Sequence, residues 1–293
     1  MSPTLTLLPR GAWTARAEAH ARRADALTAG HRERRAAGSS HAVEDFLYTY
    51  YPLRPAVLRR WSPGAGVALA DAAGSPVASA RWFTTEGDAV RLDGRAYLAD
   101  RAGAVRHHAT LLAAVADRPP VFSCFGLHEW AMVYREPAGA HRHALPLRLG
   151  EAGTDAVVER HQITCSHYDA FRFFTPEATG RNELRPTREL QVELDQPGCL
   201  HVGMDLVKVV VHLGPAVPGE LALDVVELAR DVRELDMRAS PYDVSGFGLA
   251  PVAIETAAGK AQYVAAQRAF AARAEPLRSA LLAVCRDLLA SAA

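Results

Sequence analysis

Apolar residues recur along this chain in blocks of helical spacing, and glycine and proline punctuate the blocks. In the first forty residues Trp13, Ala17, His20, Ala21 and Leu27 fall at a loose helical spacing in an Ala- and Arg-rich background, and the pattern ends at Gly30 and Gly38. This predicts a solvated, peripheral N-terminal helix over 1–40. The aromatic stretch His41 to Trp61 is interrupted by Pro52 and Pro55, so two short helical pieces joined by a bend are expected there. From Gly64 to Ala99 the runs shorten to Val67-Ala-Leu69, Arg81-Trp-Phe83 and Val90-Arg-Leu92 between turn residues, the signature of a small antiparallel hairpin or sheet.

Further on, 101–135 reads as two helices broken at Pro119-Pro120, the second running from Val121 to Tyr134 and apolar enough to be buried. Between Arg160 and Thr175 the set Ile163, Cys165, His167, Asp169, Phe171 and Phe173 alternates with its neighbours, which favours an extended strand. A helix is expected after Pro197-Gly198, ending at Gly214-Pro215. Long amphipathic helices over Glu220 to Met237 and Gly259 to Ala290 follow, the last bending near Pro276. No repeat and no linker divides the chain. The expected fold is mainly α, a helical bundle-like single domain over 41–293 with a small antiparallel β insertion around 64–99; α+β is the alternative.

Composition narrows the function classes. With 293 residues and 49% hydrophobic content the chain can bury one large core, which excludes a disordered protein. No segment approaches the roughly 20 apolar residues of a membrane helix, and the start Met-Ser-Pro-Thr lacks a signal-peptide pattern, so a cytoplasmic protein without membrane contact is expected. The 33 basic and 33 acidic residues cancel, leaving no general attraction to nucleic acid. Cys124, Cys165, Cys199 and Cys285 form no C-x-x-C pair and read as buried free thiols.

Four segments carry candidate chemistry. In Cys199 to Leu213, His201, Asp205, Lys208 and His212 fall at spacings of four, three and four, one polar stripe on an otherwise apolar helix. Asp205 could serve there as general base, or with His201 as a weak metal pair. The bland alternative is a solvent-facing edge held by ion pairs. His128-Glu129 sits among Phe125, Leu127, Trp130 and Met132, where burial would raise a carboxyl pKa; a structural pair with an arginine is the competing reading. Thr164 to Pro176 holds His167 and Asp169 on one strand face and Ser166, Tyr168 and Arg172 on the other. They could form an acid–base couple with an anion-binding fork, or a network that pins the fold. Leu235 to Asp243 crowds Asp236, Arg238, Tyr242 and Asp243 at a helix end, where capping is an equal explanation. His41 and Asp45 repeat the spacing of His201 and Asp205, but no Glu-x-x-His accompanies them. No G-x-G-x-x-G after a strand, P-loop or G-x-S-x-G is present, so no cofactor is expected.

Four motifs, Cys124-Phe-Gly-Leu-His-Glu-Trp-Ala-Met-Val-Tyr134, Thr164-Cys-Ser-His-Tyr-Asp-Ala-Phe-Arg-Phe-Phe-Thr-Pro176, Pro197-Gly-Cys-Leu-His201 and Leu235-Asp-Met-Arg-Ala-Ser-Pro-Tyr-Asp243, give a family resemblance. From about His41 onward the chain resembles an actinomycete and algal family whose members carry the label 3-methyladenine DNA glycosylase. It departs at Asp205-Leu-Val-Lys-Val209, where the family has Asp-Leu-Tyr-Lys-Trp, so a divergent member with a reshaped pocket is implied. The resemblance implies removal of alkylated bases from DNA. The residues themselves lead to a different first expectation, an enzyme of acid–base chemistry on a small polar or anionic substrate, with a role in specialised metabolism. His128, Glu129, His167, Asp169, His201 and Asp205 form its catalytic set, with Asp205 or Glu129 as base. Arg172, Lys208, Arg238 and Tyr242 bind the substrate. A third expectation is a non-catalytic partner in a complex or homo-oligomer.

Overall fold

The computed structural model describes residues 5–137 and 143–291. It is a mainly helical single domain with a small four-stranded mixed sheet. Strand β1 (Thr6–Leu8) precedes helix α1 (Arg10–Ala36), which is followed by the short helices α2 (Phe46–Tyr50) and α3 (Pro55–Leu58). Strands β2 (Val67–Leu69), β3 (Phe83–Glu86) and β4 (Ala89–Leu92) lead into α4 (Gly94–Ala116), capped by the Asp93 side chain on the Arg95 and Ala96 amides. Then come α5 (Leu127–Ala131), α6 (Gly150–Glu159), α7 (Tyr168–Phe171), α8 (Pro176–Thr179) and α9 (Gln191–Leu194). The last four are α10 (Leu200–Met204), α11 (Leu206–Leu213), α12 (Gly219–Ala239) and α13 (Ala257–Ala290).

The sheet order is β1-β2-β4-β3. The expected antiparallel pairing holds for β3–β4 and β2–β4, while β1 adds at the edge in parallel with β2, Leu7 opposite Ala68. Helix α1 is anchored rather than solvated all round, because Trp13 donates its indole N–H to the Ala70 carbonyl at 2.9 Å and His20 meets the Leu58 carbonyl at 2.7 Å. Its buried stripe Trp13, His20, Ala24 and Thr28 lies along α12 and α3.

Helix α12 forms the centre of the molecule. α1, α10, α11 and α13 pack on it, and α4 lies along α13. Leu223, Val225, Val226, Leu228, Ala229 and Val232 are all buried, so this helix has little face left for water. Two charged residues, Arg233 and Asp236, are buried with them. Among the described residues no helix is long and apolar enough to cross a membrane.

Three segments differ from their sequence pattern. The helix expected over 121–134 is confined to α5, because Phe125 (φ 48°) and Gly126 (φ 75°) take left-handed backbone conformations that end the preceding loop in a sharp turn. That loop is clamped by the Gln196 amide, which accepts from the Val121 N–H at 2.8 Å and donates to the Val121 carbonyl at 3.1 Å. Gly198 is needed below it, since an added Cβ would come within 2.4 Å of the Val121 carbonyl oxygen.

The strand expected over 160–175 shrinks to one bridge between Ile163 and Asn182. Asn182 satisfies the backbone of Cys165 with its side chain, accepting at 2.8 Å and donating at 2.9 Å, and the chain then turns into α7. Finally, the helix expected up to Leu213 is interrupted at Asp205, giving α10 and α11.

Candidate active site

These local features bring eight sequence-derived residues to one place. His167 is the last extended residue before α7, and the single turn of α7 carries Asp169 and Arg172 together. The break between α10 and α11 turns Asp205 and Lys208 toward them. Asp205 accepts a hydrogen bond from the Tyr51 hydroxyl at 2.9 Å and from Lys208 Nζ at 2.8 Å. Lys208 also bonds Asp169, whose other oxygen accepts from Arg172 Nε at 3.0 Å. His212 leaves the stripe and pairs with His108 of α4 at 3.0 Å.

The His167 ring is buried and donates Nδ1–H to Asp195 at 3.1 Å, while Asp195 also accepts from Gln191 at 2.9 Å. Its Nε2 faces Asp205 Oδ2 across 3.5 Å and has no hydrogen-bond partner. Burial opposes charge on His167, yet the carboxylates Asp205 and Asp195 raise its pKa above the usual imidazole value. Burial likewise pushes Asp169 upward, and the hydrogen bond and charge of Lys208 overcome it, so Asp169 lies below the usual carboxylate range.

A second group lies beside the first. His128 Nε2 meets Asp236 Oδ1 at 2.9 Å, and Arg233 Nη1 bridges Asp236 at 3.0 Å and Glu129 at 3.2 Å. All four are buried. Burial disfavours a charged His128, but Asp236 outweighs it and holds the ring well above its ordinary pKa. Burial pushes Asp236 up, but the charge and hydrogen bond of His128 overcome it and drive the carboxyl far down. Glu129 is raised by burial and by the Asp236 charge, as its sequence context suggested.

His201 links the two groups. Its ring touches His128 edge-on at 4.4 Å and stacks on His167 at 5.4 Å with 10° between the planes. Burial and the neighbouring His128 charge depress its pKa well below the ordinary value. Neither ring nitrogen of His201 is hydrogen-bonded among the described residues, and its side chain is 13% exposed.

Both groups face one cavity. Phe46, Tyr50, Tyr51 and Phe173 form its aromatic wall; Glu129, His167, Asp169, His201, Asp205 and Arg233 supply its polar lining. The room inside is about 20 Å³, enough for one water. Arg172 stands at the rim, with its guanidinium 4.0 Å above the Phe173 ring and hydrogen-bonded to the Tyr50 hydroxyl at 3.3 Å. A larger guest must therefore displace rim side chains.

The two remaining candidates sit elsewhere. Arg238 is turned away, bonded to the Ala250 carbonyl at 2.9 Å and Glu234 at 3.3 Å, so it does not line the cavity. Tyr242 is buried one layer back, edge-on to His143 at 5.1 Å, and His143 itself lines the cavity. Asp45 belongs to a separate network with Arg34 and His31. Sequence reasoning missed Arg233, Asp195 and Tyr51. Only Arg233 carried a usable signal, three residues before Asp236 and on the face that also bears Ala229 and Val232.

Two donor sets could hold a metal by proximity: His128, Glu129, His201 and Asp236 in one, and His167, Asp169 and Asp205 in the other, with donor atoms within 4.8 Å of one another. The sequence-derived pair His201 and Asp205 is thus split between them. In the first set both nitrogens of His128 are engaged, Nδ1 lying 3.4 Å from Cys124 Sγ, and the buried Arg233 already neutralises the carboxylates.

Fold and site define a mainly helical domain built around a buried row of three histidines flanked by carboxylates. No family model matches the chain, and neither a curated protein nor a solved structure matches it.

Proposed function

We propose that the protein is an enzyme that moves protons on a small polar substrate, with His201 as the exchanging base and Glu129 as the partner acid. The observation that carries this reading is the position of the His201 ring, which reaches the cavity with neither nitrogen hydrogen-bonded among the described residues, Nε2 lying 4.0 Å from Asp236, while both nitrogens of the neighbouring His128 are engaged. Such an imidazole can accept or deliver a proton, a contribution of roughly two to four orders of magnitude in rate. Asp205, spoken for by Tyr51 and Lys208, is better suited to orienting the substrate than to acting as base. Lys208 and Arg172 supply the positive charge near the rim that a polar or anionic guest would meet.

Removal of alkylated bases from DNA, the activity implied by the family resemblance, has less support. Much of the positive charge of α1 is answered by acids: Arg16 pairs with Glu220, Arg23 with Asp224 and Glu227, Arg32 with Asp25, and Arg34 with Glu44 and Asp45. A cavity of about 20 Å³ would also have to open widely for a flipped base.

The test is untargeted mass spectrometry of a small-molecule extract incubated with wild-type protein and with His201→Asn. The expected result is at least one compound consumed by the wild type and turned over about a hundredfold or more slowly by the folded variant. Equal turnover by both proteins would remove His201 from the chemistry.

A further inference from the structure

We propose that His167, Asp169 and Asp205 bind one divalent transition-metal ion, with Asp195 orienting the imidazole. The inference goes beyond the proton-transfer reading, because it uses neither His201 nor Glu129, the pair assigned to moving the proton, and it gives Asp205 a ligand's part that stands whatever reaction the cavity supports.

The geometry is that of a ligand set awaiting slight contraction. Donor atoms of the three residues lie within 4.8 Å of one another, and an ion at about 2.0–2.2 Å from each would draw them to about 3–4 Å apart. His167 Nε2 is the telling atom. It is buried, has no hydrogen-bond partner, and points at Asp205 Oδ2 across 3.5 Å. A buried ring nitrogen left unpaired is costly, so its orientation calls for an explanation. The opposite nitrogen supplies one, since Nδ1–H is donated to Asp195 at 3.1 Å, which aims Nε2 into the site. A carboxylate behind a histidine in this way is the usual outer support of a metal-binding imidazole.

The two acids are arranged to match. Tyr51 occupies Asp205 Oδ1 and Arg172 occupies Asp169 Oδ1, so in each residue Oδ2 is the oxygen turned to the site. Both Oδ2 atoms contact the Lys208 ammonium. That cation competes with an ion, yet its side chain is 24% exposed and has a route to solvent. Arg233 in the neighbouring donor set is 2% exposed and has none. This difference selects His167, Asp169 and Asp205 over the His128 set. One imidazole and two carboxylates suit Mn²⁺, Fe²⁺, Co²⁺ or Zn²⁺ better than Ca²⁺, which takes six to eight oxygens, and the water-sized space beside them leaves an open coordination position.

The experiment titrates chelator-treated full-length protein with CoCl₂ and ZnCl₂, read by calorimetry and, for Co²⁺, by its visible absorption. The expected result is one ion per chain, binding weakened about tenfold or more in His167→Gln and about 10–100-fold in Asp195→Asn, both with unchanged far-UV circular dichroism. Lys208→Met removes the competing cation and is expected to tighten binding about tenfold, a gain that a purely structural lysine would not produce and that does not depend on His167→Gln folding. No binding by either the wild type or Lys208→Met overturns the proposal. So does wild-type affinity in folded His167→Gln, which would place the ion elsewhere.

Discussion

Replacing Asp236 by Asn tests how strongly the buried charges of α12 depend on one another. Asp236 has no solvent exposure and serves two cationic partners, His128 at 2.9 Å and Arg233 at 3.0 Å. The amide keeps the shape and removes the charge, so two buried cations lose their shared counter-ion. Breaking a buried pair from one side typically costs about 3–5 kcal/mol. Glu129 stays within 3.2 Å of Arg233 and softens the loss, which places the expected cost near the lower end, about 3 kcal/mol. For a chain of this length that corresponds to a fall in Tm of about 6–12 °C, measured by circular dichroism at pH 7 and checked by urea unfolding. A partner experiment isolates the interaction. Arg233→Met fills similar space without charge, so combining it with Asp236→Asn should cost less than the sum of the single changes, by about 1–3 kcal/mol. A loss below about 1 kcal/mol for Asp236→Asn, or strict additivity in the double variant, refutes the idea that these charges act as one network.

The histidine pair outside the cavity makes stability depend on pH. His108 is held down to about 4, first by burial and then by the neighbouring His212, so the fold keeps it neutral where the unfolded chain would protonate it near 6.5. Its contribution is fully present above pH 6.5 and is lost as pH falls toward 4, amounting to about 3 kcal/mol; His108→Gln should flatten urea-unfolding free energy across that window, and an unchanged slope contradicts the assignment. Cys124 is lowered well below the ordinary thiol value by the neighbouring Cys165 thiol and by His128, whereas burial raises Cys199 and Cys285 and Cys124 helps to raise Cys165. Iodoacetamide at pH 7 should therefore label Cys124 before the other three thiols in peptide mapping by mass spectrometry, and Asp236→Asn, which weakens the charge on His128, should slow that labelling. Labelling led by any other cysteine would refute the assignment.

The long helices were legible because their burial follows one period. Gly219–Ala239 and Ala257–Ala290 lie within two residues of the segments read from apolar spacing, and the hairpin of Phe83–Glu86 with Ala89–Leu92 falls inside the stretch read as β. What could not be read was backbone held by a distant side chain. Alternation around His167 looks like a strand, but the Asn182 side chain satisfies Cys165 in place of a strand partner, and the chain is free to turn directly after His167. The apolar run before Leu127 looks like helix, but the Gln196 clamp and the left-handed pair Phe125 and Gly126 hold it open.

The same limit applies to the candidate site. Residue type and local spacing were enough to single out His128, Glu129, His167, Asp169, His201 and Asp205, because a polar group amid apolar neighbours is costly unless something answers it. The residues that answer them come from far along the chain. Asp195 reaches His167 from α9's end, Tyr51 reaches Asp205 from the segment after α2, and Arg233 reaches Glu129 from the central helix. Once these partners are placed, the polar residues cease to be equivalent. His128 and Glu129 are tied into an ion network, Asp205 and Asp169 are held by Lys208, and among the described histidines of the site the His201 ring and His167 Nε2 retain unused bonding capacity toward the cavity. Chemistry requires a group with capacity to spare, so the two histidines that still have it are where a reaction and an ion would act.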